Sequence, residues 1–214
     1  TGYGATYYVN EVFKHEHDTF EGKTFALSGF GNVAWGAAAK IAELGGKAVT
    51  LSGPDGYIYD PAGITGEKID YLLVMRNSGR DKVKDYADKF GCEFHAGEKP
   101  WGVKVDVIMP CATQNDVNLD EAKRIVANKV KYYIEVANMP TTNEALKFLM
   151  DQKNMIVAPS KAVNAGGVAT SALEMSQNSM RYGWTAEEVD AKLHQIMKNI
   201  HDASAKAAEQ NGLG

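Results

Sequence analysis

Thr24-Phe25-Ala26-Leu27-Ser28-Gly29-Phe30-Gly31-Asn32-Val33-Ala34 decides the reading of this chain. Thr24 to Ser28 has the apolar character of a short buried strand. Asn32 to Leu44 has helical character, with Val33, Ile41, Ala42 and Leu44 on one side and Gly45 as its stop. Between them lies a glycine turn. A strand, a GxGxxA turn and a helix in immediate succession form the context that a dinucleotide-binding fingerprint requires. Gly29 permits the tight turn, Gly31 lets backbone approach a pyrophosphate, and Ala34 lets helix and strand pack closely. The helix start then offers unpaired N–H groups and the positive end of its dipole to the phosphates. A tight βα turn without a ligand is the bland alternative.

Working outward, strands and helices alternate. Helices are expected over Ala5–His17, Lys68–Met75, Lys82–Phe90, Leu119–Asn128 and Thr142–Met150, the last capped by Thr142. Strands are expected over Ala48–Ser52, Val105–Met109, Tyr132–Val136 and Met155–Ala158, with a short extended piece at Tyr57–Tyr59 after the Gly53-Pro54-Asp55-Gly56 turn. Asn164-Ala165-Gly166-Gly167 opens a further helix. Thr185 and Glu188 form a capping box for a last helix that runs to near Gly212. The alternation predicts an α/β fold: a Rossmann-like, doubly wound, mostly parallel sheet with helices on both faces.

Composition fits one such unit. The chain has 214 residues, 44% hydrophobic and 23% charged, with a formal net charge of −4. No basic stripe is present, which argues against nucleic-acid binding. No run of about 18 apolar residues is present, which argues against a membrane span. Two cysteines without a CxxC pattern suit a reducing compartment, so a cytoplasmic location is expected.

A parallel sheet binds its ligand beyond the carboxyl ends of its strands. Those tips carry Ser52 to Asp55, Pro110 to Thr113, Ala137-Asn138 and Pro159 to Lys161. Cys111, Ala112, Thr113, Ala137 and Asn138 are therefore candidate cofactor contacts, with Asn138 able to donate and accept. Each has a second reading as a loop cap. Asp55, just past the second strand, suits a ribose with a free 2′-hydroxyl and would repel a 2′-phosphate. No Lys or Arg lies between Val49 and Glu67 to attract one. NAD is expected over NADP, although Arg80 is able to fold back over the site. Asp55 is also an ordinary residue for a P-D-G turn.

Other features read as plain. His15-Glu16-His17-Asp18 lacks the spacing of a shared metal site. His194 and His201 read as a solvated helix edge. Cys111 has no adjoining base, so it is not read as a nucleophile.

Thr1-Gly2-Tyr3-Gly4, GFGNVAWGAA (29–38), VANMPTT (136–142) and PSKAVNAGGV (159–168) together resemble the glutamate dehydrogenase family, in particular its bacterial hexameric NAD-dependent members. The likeness runs along essentially the whole chain. It implies that residues 1–214 are the coenzyme-binding domain, with one sheet strand reversed. Flanking helices at 5–17 and 185–210 would connect to a substrate domain. It implies that Thr1 and Asn138 meet the nicotinamide end, Phe30, Gly31, Asn32 and Val33 the pyrophosphate, and Pro54 and Asp55 the adenine ribose. Asn164, Val168 and Ser171 would face the amino acid, and the Ser171 hydroxyl favours glutamate over an apolar substrate.

The family's catalytic lysine lies in a GGxKGG segment, and its catalytic aspartate lies in the same first domain. No such segment occurs here, and a returning C-terminal helix is expected to continue beyond Gly214. Oxidative deamination of L-glutamate to 2-oxoglutarate and ammonia needs a general base. Lys161 is the one candidate in this chain, and it also reads as structural. The expectation is an NAD-binding half-site without turnover, whose parent is a homohexamer. A coenzyme domain of another amino-acid dehydrogenase and a non-catalytic nucleotide-binding module remain alternatives.

Overall fold

A computed structural model describes residues 1–213. Its elements in chain order are α1 (Gly2–His15), β1 (Thr24–Leu27), α2 (Asn32–Glu43), β2 (Lys47–Gly53), β3 (Gly56–Tyr59), α3 (Glu67–Asn77), α4 (Lys84–Phe90) and β4 (Glu93–Ala96). A 3-10 turn at Pro100–Gly102 follows. Then come β5 (Val107–Met109), α5 (Leu119–Ala127), β6 (Tyr132–Ile134), α6 (Asn143–Met150), β7 (Ile156–Ala158), α7 (Ser160–Val163), α8 (Ala165–Met180) and α9 (Ala186–Gln210).

The strands form one seven-stranded sheet in the order β4-β3-β2-β1-β5-β6-β7. β1 pairs in parallel with β2 and β5, and β5-β6 and β6-β7 continue in parallel. β3 runs antiparallel to both β2 and β4, so it is the reversed strand. The order changes direction at β1: the chain moves one way through β2, β3 and β4, then returns beside β1 as β5. Ligand crevices open at such switch points.

Alternation along the central strands sorts the core into two layers. Phe25, Leu27, Val107, Met109, Tyr132 and Ile134 face one layer with α1, α2 and α9 residues. Ala26, Ile108 and Tyr133 face the other with Trp101, α5 and α6. Helices therefore cover both faces, as expected for a central sheet of short apolar strands. No helix among the described residues is long and apolar enough to cross a membrane.

The structure corrects several expectations. α2 buries Ala34, Gly36, Ala37, Ala38 and Ile41, whereas Ala42 and Leu44 sit at the margin. The small residues face inward because α2 is gripped closely by α1: a Cβ on Gly2 would stand 2.4 Å from the Val33 carbonyl oxygen. β4 has no apolar alternation in its sequence (EFHA), and it forms because β3 leaves an edge to pair with. His201, expected on a solvated edge, is buried beneath the Tyr8 and His15 rings where α9 crosses α1. His194 does remain partly exposed, stacked on Tyr7 at 4.6 Å. The capping boxes at Thr185–Glu188 and Asn118–Glu121 are both formed.

Candidate functional site: the cleft at the switch point

The glycine turn leaves β1 in a conformation that its sequence dictates. Gly29 has φ +77°, a left-handed value that costs other L-residues about 1–2 kcal/mol. A Cβ there would also stand 3.2 Å from the Ala112 backbone. Gly31 differs. It caps α2 at φ −79°, and an added Cβ would meet nothing within 4 Å. That vector opens into a cleft.

Three buried hydroxyls fix the floor around this turn. Thr50 Oγ1 donates to the Leu27 carbonyl and accepts from the Leu27 N–H, both at 2.9 Å. Ser52 Oγ accepts from the Gly29 N–H at 2.9 Å. Ser28 Oγ accepts from the Cys111 and Ala112 N–H groups at 3.0 and 3.1 Å. The tip of β1 is thus tied to β2 on one side and to the segment after β5 on the other. Fixed backbone donors at a helix start can serve an anion without reorganising.

The cleft above this floor measures about 910 Å³. It gathers Gly29, Phe30, Gly31, Asn32, Val33, Pro54, Cys111, Ala112 and Thr113, all singled out from the sequence. The Phe30 ring is buried and packs where a Gly53 Cβ would come within 2.9 Å, so Phe30 presents backbone rather than side chain. Burial pushes the Cys111 thiol well above its ordinary range, with the Asp116 charge adding to that effect. The thiol is therefore a poor nucleophile where it sits.

Asp55 lies beside the cleft and has a different occupation. Its Oδ1 accepts from the Val83 N–H at 2.9 Å and its Oδ2 from the Lys84 N–H at 3.0 Å. Its carboxylate thus caps the start of α4 and holds the 79–84 segment against the β2–β3 turn. Arg80 pairs with Asp85 at 3.0 Å rather than folding over the turn.

The remaining sequence-derived candidates gather at a second place, next to the β5 and β6 tips. Ala137 N–H donates to the Pro110 carbonyl at 2.9 Å. Asn138 Oδ1 accepts from Asn164 Nδ2 at 2.7 Å, joining the β6 tip to the start of α8. Thr1 packs against Gly167, where a Cβ would stand 2.5 Å from its hydroxyl. Asn164, Val168 and Ser171 follow helical spacing along one face of α8. Val168 and Ser171 are exposed, and Ser171 Oγ donates to the Gly167 carbonyl at 3.3 Å. Lys161 is exposed on α7 and makes no ion pair among the described residues.

Sequence reasoning missed part of the cleft. Met75, Arg76, Gly79 and Asp81 from the α3–α4 region line it, as do Gly97, Glu98 and Lys99 after β4 and Asp116 after β5. The one signal in the sequence was the row of hydroxyls at Ser28, Thr50 and Ser52, buried polar groups that require partners.

Known proteins share this fold and much of this sequence. The family model described as Glutamate/Leucine/Phenylalanine/Valine dehydrogenase matches residues 1–213. An NAD-specific glutamate dehydrogenase of Clostridium symbiosum is 76% identical over 100% of this chain and 48% of its own length. An NADP-specific glutamate dehydrogenase of Haemophilus influenzae is 50% identical over 94% of this chain and 44% of its own length. A solved glutamate dehydrogenase superposes with a TM-score of 0.98 at 76% identity, again over 100% of this chain and 48% of that one. The chain spans about half the length of the curated relatives it matches.

Proposed function

Because this chain belongs to the glutamate/leucine/phenylalanine/valine dehydrogenase family, we propose that it is the coenzyme-binding half of a glutamate dehydrogenase, built to hold NAD(H). The parent enzyme then converts L-glutamate to 2-oxoglutarate and ammonia, with the cofactor, when bound, receiving the hydride. The observation that carries the reading is the open vector at Gly31. It points from a helix N-terminus into a cleft at the switch point of a parallel sheet. A pyrophosphate needs that combination of space, N–H donors and dipole.

The chain's own residues bind and orient. The start of α2 receives the pyrophosphate, the Cys111–Thr113 and Gly53–Pro54 tips flank the adenosine half, and Asn138 and Thr1 approach the nicotinamide half. Asn164, Val168 and Ser171 face the amino acid, with the Ser171 hydroxyl turning from the Gly167 carbonyl to donate to the side-chain carboxylate of glutamate. The substrate's remaining contacts and the general base come from a substrate domain, to which α1 and α9 connect. The parent is a homohexamer of the cytoplasm.

NAD is preferred over NADP. The Asp55 carboxylate stands at the adenine-ribose end, and the NAD-specific relative is the more similar of the two compared above. Its N–H contacts at Val83 and Lys84 make that preference dependent on the 79–84 segment as well.

Two assays on one purified sample test the reading. NADH at a hundredfold excess over Kd stabilises the folded state by about 2.7 kcal/mol, which for a chain of this size raises Tm by roughly 5–10 °C. No glutamate-dependent NADH formation accompanies the shift. An unchanged Tm at millimolar NADH refutes cofactor binding, and robust turnover refutes the half-site, making Lys161 the first residue to replace.

A further inference from the structure

Asp116 is a buried carboxylate in the cleft lining to which the binding of the dinucleotide assigns no task. It is 8% exposed, and its Oδ2 has no hydrogen-bond partner among the described residues. Its main chain is pinned: the Asp116 carbonyl accepts from Lys99 Nζ at 2.7 Å and from Trp101 Nε1 at 3.3 Å. The charges facing the carboxyl are few. Lys99 Nζ stands 3.9 Å from its Oδ1 and 3.4 Å from Glu121 Oε1, so one ammonium serves two acids.

Ser28 presents the complementary deficit. It is fully buried, and its oxygen accepts from two amides, Cys111 N–H and Ala112 N–H. Two accepted bonds use both lone pairs of a hydroxyl, leaving its proton as a donor only. No carbonyl among the described residues receives that proton. Asp116 lines the cleft together with Cys111 and Ala112, the two residues whose amides Ser28 holds, and this brings its carboxyl to the Ser28 hydroxyl. A buried donor without an acceptor and a buried acceptor without a donor are each costly, and pairing them removes both costs.

We propose that Asp116 is a positioning residue for the cofactor: its carboxyl oxygen accepts a hydrogen bond from the Ser28 hydroxyl, and the oriented Ser28 oxygen then clamps the Cys111–Ala112 tip over the glycine turn. This rests on the coenzyme-binding reading above. The relay is short. Asp116 holds Ser28, Ser28 holds two successive amides of the tip, and Ala112 of that tip packs against Gly29. Without Asp116 the Ser28 hydroxyl is free to rotate, its proton competes with the amide protons, and the tip loosens where the dinucleotide lies. Burial pushes the carboxyl above the usual carboxylate range, while the Ser28 hydroxyl and Lys99 pull it back and Glu121 pushes it up. Ser28 and Lys99 thus favour the ionised form, while burial and Glu121 oppose it and the net shift is upward; either form of the carboxyl offers the oxygen that the clamp uses.

The test measures the NADH Kd of this chain, well below its Tm, for wild type, Ser28→Ala, Asp116→Ala, the double variant and Asp116→Asn. An asparagine oxygen still accepts from Ser28, so Asp116→Asn stays within about threefold of wild type. Ser28→Ala and Asp116→Ala each weaken NADH about tenfold, and the double variant is no weaker than Ser28→Ala alone, because both remove one relay. Amide hydrogen exchange gives a second measurement, which also serves if Asp116→Ala does not fold. Cys111 and Ala112 stay protected in wild type and Asp116→Asn, and lose protection in Ser28→Ala. Wild-type affinity in a folded Asp116→Ala, additive effects in the double variant, or unprotected Cys111 and Ala112 amides in Asp116→Asn would each overturn the relay. A wild-type chain that binds no NADH overturns instead the reading on which it rests.

Discussion

Replacing the two glycines of the turn separates folding from binding. In Gly31→Val the backbone is already at φ −79°, which any residue adopts, and the new side chain meets no protein atom within 4 Å of its Cβ. Two small effects oppose each other. Losing glycine's freedom in the unfolded chain contributes about 0.4–1 kcal/mol of stability. Losing a tolerated cap residue at the start of α2 costs a comparable few tenths to one kcal/mol. The net change stays within about 1 kcal/mol, a Tm shift of no more than roughly 2–4 °C. The proposed function predicts a large binding effect, because the branched side chain would occupy the approach it assigns to the pyrophosphate. An NADH Kd raised at least a hundredfold corresponds to about 2.7 kcal/mol. Gly29→Ala behaves in the opposite way. Its φ of +77° costs about 1–2 kcal/mol, and its Cβ would press on Ala112 at 3.2 Å. Tm falls by roughly 4–8 °C if the total reaches about 2 kcal/mol. Fluorescence titration and a thermal melt on both variants decide the matter. A folded Gly31→Val that binds NADH as wild type does would show that the cleft beside α2 is not where the pyrophosphate sits.

Further outcomes are expected. Asp55→Lys removes the acceptor for Val83 and Lys84 N–H, so it costs about 1–2 kcal/mol by urea titration while narrowing any NADH-over-NADPH preference; full stability in that variant would contradict the capping role. Gly2→Ala drives a Cβ to 2.4 Å from the Val33 carbonyl, and a loss of about 1–3 kcal/mol is expected, with a neutral melt arguing against the close α1–α2 crossing. Burial alone would raise the Asp18 carboxyl, but bonds from Lys23, Tyr132 and the Thr19 N–H lower it overall. A lowered acid contributes stability that is present above its unfolded pKa, near the ordinary carboxylate value, and is lost as pH falls through the lower folded one. Asp18→Asn should therefore flatten the acid limb of stability against pH, and an unchanged slope would show that the pair contributes nothing.

The sequence determined the architecture and the first half of the site. TFALSGFGNVA contains strand, turn and helix in one continuous segment, and the special geometry it needs is carried by residue types, a glycine at φ +77° and another whose Cβ vector is empty. Local signals also placed the caps at Thr142 and Thr185, because a capping side chain bonds to backbone three residues on. Other features belonged to the tertiary structure. β4 is a strand only because β3 reverses and offers it an edge. His201 is buried only because α9 crosses α1. Asp55 reads as a lone turn acid until α4 brings its N–H groups from 28 and 29 residues away. Ser28, just past the β1 tip, meets the Cys111 and Ala112 amides from 83 and 84 residues away. Periodicity and propensity act within about one helical turn, so they record which groups will be buried. Which distant partner satisfies each buried group is set when the sheet brings its strand ends together.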